Sequence, residues 1–169
     1  MKSITTLNDL FVEQARDVYD AEKQQLEVFP KFWDEAYDTY LKDSISKHIE
    51  KTEIQVKRLE EIFNELDISA DGERSRGMKA LIDATTELIE RSYDPEVIDA
   101  ALVTSIKQLN YSEIAGYSTL VAYARALGLN HIAIKLYRSL DEEKRSDVDL
   151  SRIAEVSINK KAHHPAVTF

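Results

Sequence analysis

Apolar residues recur along this chain at spacings of three and four, the period of helices that bury one face. The most regular run is Ile45, Ile49, Thr52, Val56, Leu59, Phe63 and Leu66, which predicts an amphipathic helix over about 40–67. Before it, Leu7, Phe11, Val18, Phe29, Trp33 and Ala36 share one face of a first long helix over about 6–37, opened by Thr6 with Asp9 three residues on. Pro30 falls inside that helix and should kink it or free one backbone bond. Two further stripes follow, Leu102, Ile106, Leu109, Leu120 and Ala124, then Leu136, Leu140, Leu150, Ala154 and Ile158. Asp94 as N-cap and Pro95 at the first helical position open the third long helix, and Gly128 closes it after Leu127 in a left-handed C-cap. Asn130 is expected to cap the fourth, which should run to about Asn159.

Between the second and third stripes, "ISADGERSRG" holds two of the four glycines and reads as a loop, followed by a short helix over about 77–91. Four long helices with one short helix in the connection predict an all-α fold, a ferritin-like four-helix bundle with a long crossover. An irregular helical domain is the alternative. One domain is expected over 1–161, with a loose tail at 162–169 that includes the two adjacent histidines, 163 and 164.

Composition narrows the choice of partner. The formal charge of -9, from 31 acidic against 22 basic residues, argues against nucleic acid and against an anionic membrane surface, and leaves cations. No cysteine is present, which excludes disulfides, zinc-thiolate and iron-sulfur sites and a thiol nucleophile. No segment approaches ~18 consecutive apolar residues, so a soluble cytoplasmic protein is expected.

The stripes carry acids where apolar side chains would be expected. Glu22 lies inside the first, Glu113 near the centre of the third, and Glu143 and Asp147 one turn apart in the middle of the fourth. In the second helix Glu53 stands at the edge of the stripe and Glu50 well to its side. Two like charges ~4 Å apart repel by about 4 kcal/mol at an effective dielectric near 20, and each also loses hydration on burial. The first, third and fourth stripes hold no Lys, Arg or His to offset this. Two readings follow: acids kept protonated by raised pKa values, or hard cations held by oxygen ligands, with iron, manganese or magnesium suited to such a set. His48 lies toward the second stripe and is expected as a core or boundary histidine. Tyr117 and Tyr19, near Glu113 and Glu22 in sequence, read as structural phenols, with a redox role beside a metal as the alternative.

The segments holding these residues, "DVYDAEKQ", "HIEKTEIQVKRLEEI", "DAALVTSIKQLNYSEIAGYSTLVAYARALG" and "LDEEKRSDVDL", resemble in order the motifs of the YciE/YciF family of ferritin-like bacterial proteins, over about residues 5–161. The resemblance implies a carboxylate-bridged two-metal centre, a homodimer and an association with stress responses. It matches Glu22, Glu50, Glu113 and Glu143 to acidic ligand positions, with Asp147 on the same face. Two departures stand out. Where the family has Glu-x-x-His, this chain has Glu50-Lys51-Thr52-Glu53, and where the family reads "EHYEIA" this chain reads "NYSEIA", with Asn110 and Tyr111 in place of Glu and His. A carboxylate in place of an imidazole hardens the donor set, and lost ligands can leave a site empty.

The expectation is two metal ions, iron foremost with manganese or magnesium as alternatives, held by Glu22, Glu50, Glu53, Glu113, Glu143 and Asp147. Oxygen, peroxide or iron handling would follow, with enzymatic activity left open. The competing reading is a metal-free dimeric helical interaction protein that has lost this chemistry.

Overall fold

The computed structural model describes residues 3–163, and every regular element among them is helical. The long helices are α1 (Leu7–Glu35), α2 (Thr39–Glu65), α4 (Pro95–Ala126) and α5 (Asn130–Ile153), with the shorter α3 (Arg76–Glu90) between α2 and α4. A π-helical turn, Ala154–Ile158, and a final turn α6 (Asn159–Ala162) extend α5. Side-chain caps set most of the starts. Thr6 and Asp9 form a reciprocal capping box on α1, while Asp38 and Asp94 accept the free backbone N–H groups that open α2 and α4. Gly128 takes a φ of 75° after α4, the left-handed conformation glycine supplies without strain. Asn130 is the first residue of α5 and not its cap, which is Leu129, with no side-chain bond. Pro30 lies within an unbroken α1.

The four long helices form a four-sided bundle in which α1 packs on α2 and α4, and α5 packs on those same two helices. Their directions follow from contacts at the two ends. Asp99, early in α4, accepts the Tyr37 and Asp38 N–H groups at 2.8 and 2.9 Å, which sets the start of α4 beside the α1–α2 turn. At the other end His131 and Lys135 of α5 reach Glu65 at the close of α2. So α2 and α4 run in the same direction, and the segment 66–94 crosses the length of the bundle, with its α3 packed on α4 and α1. Asp20 of α1 fastens this crossover by accepting the Ser75 N–H at 2.7 Å.

The buried faces differ from the sequence stripes in two helices. Leu7 and Trp33 are 38% and 40% exposed, and the Lys42 ammonium sits 4.0 Å from the Trp33 ring centroid. In α2 the buried positions are Leu41, Ile45, His48, Thr52, Gln55, Leu59, Ile62 and Phe63, so the face is turned away from Ile49, Val56 and Leu66 and toward His48 and Gln55. The apolar core falls into two clusters. One holds Phe29, Phe32, Leu41, Ile45, Leu102, Ile106, Leu109 and Leu150; the other holds Phe11, Leu59, Ile62, Phe63, Leu120, Leu136 and Leu140. A polar layer lies between them in each helix.

Candidate metal centre

Each long helix sends at least one polar side chain into this layer. Glu22 of α1, Glu113 of α4 and Glu143 of α5 are all 2% exposed or less. Close packing of α1 on α4 brings the first two together: a Cβ at Gly116 would stand 2.8 Å from Val18 Cγ2, so only glycine admits this approach. From α2 come His48, Lys51, Thr52 and Gln55, members of the regular series 41, 45, 48, 52, 55, 59, 62 or, for Lys51, immediately beside it.

Glu143 is the most heavily hydrogen-bonded acid. Its Oε1 accepts from Gln55 Nε2 at 2.7 Å, its Oε2 accepts from Lys51 Nζ at 2.9 Å, and Asn110 donates to the same carboxylate. Lys51 Nζ also stands 2.7 Å from Ser146 Oγ and 3.1 Å from His48 Nδ1. Gln25 donates to Glu113 and its Oε1 lies 3.1 Å from His48 Nε2. Tyr117, wholly buried, donates to Glu22 Oε1 at 2.5 Å. Two carboxylate oxygens, Glu22 Oε2 and Glu113 Oε2, are buried without a donor while both acids are ionised. The two carboxyl groups are mutual hydrogen-bond partners once one carries a proton.

The electrostatics favour that proton. Burial, then the charges of Glu22 and Glu143, pushes Glu113 well above the carboxylate range. Burial, then the charge of Glu143, lifts Glu22 to about 7, held back by hydrogen bonds from Glu113 and Tyr117. His48 is driven well below its ordinary value by burial and then by the Lys51 ammonium, so its imidazole is neutral. It stacks on Phe29 with ring centroids 4.3 Å apart. Burial and the Glu22 charge raise the Tyr117 phenol well above its usual value.

Of the six acids nominated by sequence, Glu22, Glu113 and Glu143 meet in the layer and the other three do not. Glu50 and Glu53 are exposed on the outer side of α2, as the turned face of that helix requires. Asp147 is half-buried, with Lys107 Nζ at 2.6 Å and the Tyr111 hydroxyl at 3.2 Å. Counter-charge comes from outside the stripes of the first, third and fourth helices: Lys51 of α2 reaches Glu143, and Lys107 of α4 reaches Asp147. Tyr19 is removed from the layer, donating to Glu60 at 2.9 Å and packing edge-on against Phe63. Lys51, Gln25 and Gln55 escaped the sequence reading. The signal for Gln55 was present as consecutive polar members, His48, Thr52 and Gln55, in an otherwise apolar series of four-and-three steps.

One cation fits this donor set. His48, Glu113 and Glu143 each offer a ligand atom, and those atoms all lie within 4.8 Å of one another. Glu50 and Glu53 face outward and Asp147 is paired with Lys107, so these three acids add no ligand to that set. Two cavities approach the layer. One of about 420 Å³ is lined by His48, Lys51, Asn110, Ser146, Asp43 and Asp149 among others, and one of about 240 Å³ reaches Glu113 between Val18 and Gly116.

Comparison with known proteins agrees with the fold. Residues 6–163 match the family described as "Domain of unknown function (DUF892)". The chain is 32% identical to Protein YciF of Escherichia coli (strain K12) over 165 residues, covering 97% of this chain and 99% of that protein. The crystal structure of the E. coli stress protein YciF superposes with a TM-score of 0.88 at 31% identity, covering 93% of this chain and 99% of that one. The structure of YcfI from Rhodopseudomonas palustris gives 0.87 at 33% identity, covering 89% and 96%. No helix among the described residues is long and apolar enough to cross a membrane.

Proposed function

The chain belongs to the DUF892 family, with YciF among its relatives, and from that premise we propose that it is a ferritin-like bundle built round a centre for one hard divalent cation, held by His48, Glu113 and Glu143. The observation that carries this reading is the convergence of three ligand atoms, all on buried side chains, within 4.8 Å of one another. Two carboxylates and one imidazole suit iron or manganese better than copper or zinc bound by softer sets. A bound redox metal would supply one-electron chemistry toward oxygen or peroxide, consistent with the stress role in the name of YciF.

The chain's own residues would perform the remaining tasks. The apolar clusters on either side exclude water from the layer. Gln25 orients Glu113, Gln55 and Asn110 orient Glu143, and Tyr117 holds a proton against Glu22. A cytoplasmic homodimer completes the proposal. Light scattering reads the dimer and distinguishes it from a storage shell.

Metal analysis of protein purified without chelator tests the centre. About one equivalent of iron or manganese, lost in Glu113→Ala, supports it, in keeping with three converging protein ligands. No bound metal, and a melting temperature unmoved by added iron or manganese, sinks it. A second reading is favoured by the Lys51 contacts with His48 and Glu143: a metal-free scaffold whose acids are balanced by that ammonium and by protons.

A further inference from the structure

We propose that Lys51 is a tethered cation that fills the centre when no metal is bound and has to withdraw before a metal ion can reach His48 and Glu143. The inference rests on the cation-binding reading above for its second half, but not for its first.

An ammonium carries three donors and no acceptor. Lys51 Nζ meets three acceptors: His48 Nδ1 at 3.1 Å, Glu143 Oε2 at 2.9 Å and Ser146 Oγ at 2.7 Å. Ser146 uses its own hydrogen on the Glu142 carbonyl, so it presents only a lone pair to the lysine. Each donor is matched. A neutral imidazole has one lone pair, and that of His48 is directed at Lys51, because its other nitrogen faces the acceptor Oε1 of Gln25. Two of the three candidate metal ligands are therefore engaged by a positive charge that belongs to the chain. The same ammonium supplies the counter-charge that a carboxylate-rich layer needs.

Lys51 borders open space into which its side chain can swing. Its side chain is 14% exposed, so the ammonium stands at the border between the layer and the cavity of about 420 Å³. Asp43 and Asp149 line that cavity, paired with Lys47 and Arg152, and each keeps a second carboxylate oxygen for an ammonium swung outward on its four-carbon stem. Retracting Lys51 would free the His48 lone pair and one Glu143 oxygen together, which couples the two ligands to a single movement.

The test uses the full chain as wild type, Lys51→Met and Lys51→Gln, with manganese chloride titrated calorimetrically and thermal melts recorded in chelator. Either variant should bind manganese roughly tenfold tighter than wild type, the factor expected when the competent state is populated about one part in ten. Both should melt lower than wild type in chelator. Adding Glu143→Gln to Lys51→Met should lower the melting temperature by less than the two single changes summed. Equal or weaker manganese binding in both variants overturns the competition while leaving the metal centre standing. If no protein binds manganese, the centre proposed above fails. The tethered-cation half is then decided by the melts, and strict additivity of the Lys51 and Glu143 changes overturns it. Lys51→Gln keeps a donor toward Glu143, so it remains readable if Lys51→Met does not fold.

Discussion

Leu102 and Glu113 stand on α4 about three turns apart, 0% and 2% exposed, yet they contribute to the bundle in opposite ways. Leu102 sits in an apolar cluster with Phe29, Leu41, Ile45 and Ile106, where burial itself is favourable. Glu113 is buried at a cost that is offset by the Gln25 amide, the nearby Lys51 charge, the facing Glu22 and a retained proton. Burial figures alone do not separate the two. The apolar ends stabilise the bundle, whereas the polar layer is held by partners that have to be present together.

That contrast can be broken at graded points. The largest loss is expected at the best-connected acid: Glu143→Ala leaves the Lys51 ammonium and two amide donors without their acceptor and should cost about 3–5 kcal/mol. Urea unfolding in chelator measures it, and a cost below about 1 kcal/mol would show the layer to be loosely held. Leu102→Ala removes packing without creating a charge and should cost about 2–5 kcal/mol, independent of pH and of added metal.

The third test is a pH slope. Glu22 sits at about 7 in the fold against 4.5 for an ordinary glutamate, so between those values the folded chain keeps a proton that the unfolded chain has released. The contribution is complete below pH 4.5 and is lost as pH rises through 7, to the extent of about 3 kcal/mol. His48 opposes this on the acid side, since the unfolded imidazole takes a proton below about 6.5 that the folded one refuses. Comparing urea midpoints of wild type and Glu22→Gln at pH 5 and pH 8 isolates the Glu22 part. An unchanged difference between the two pH values would refute it. The smallest effects belong to acids outside the layer. Asp147→Ala loses a partly exposed pair with Lys107 and should cost about 0.2–1 kcal/mol, and Glu53→Gln should stay within about 0.5 kcal/mol of wild type.

The helices and most of their ends were legible because their signals are local. Thr6 with Asp9, Asp94 with Pro95, and Gly128 each act within a few residues of where they stand. Glu22, Glu113 and Glu143 were legible as interruptions of apolar stripes. In α2 two series competed, one through 45, 49, 52, 56, 59, 63 and 66 and one through 41, 45, 48, 52, 55, 59 and 62. Both step by four and three, and apolar Ile49, Val56 and Leu66 made the first look the better. Only the neighbouring helices decide between them, and the decision carries Gln55 and Lys51 inward and leaves Glu50, matched through the family resemblance, in solvent. Asp147 was misplaced for a related reason, because its partner Lys107 lies on another helix.

The crossover has a consequence for assembly. By running the length of the bundle it divides the chain into two local hairpins, α1 with α2 and α4 with α5, each closed by a short turn at 36–38 and 127–129. The hairpins share few sequence-local contacts, so their docking register has to be read across the interface. Apolar faces tolerate a slip of one turn, since a leucine meets another leucine. The polar layer does not: such a slip would part Glu143 from Gln55 in one direction and from Lys51 in the other, where it would also meet Leu59 of an apolar cluster. The layer thus works as a key that admits one alignment of the two hairpins, whether or not a metal ion ever enters it.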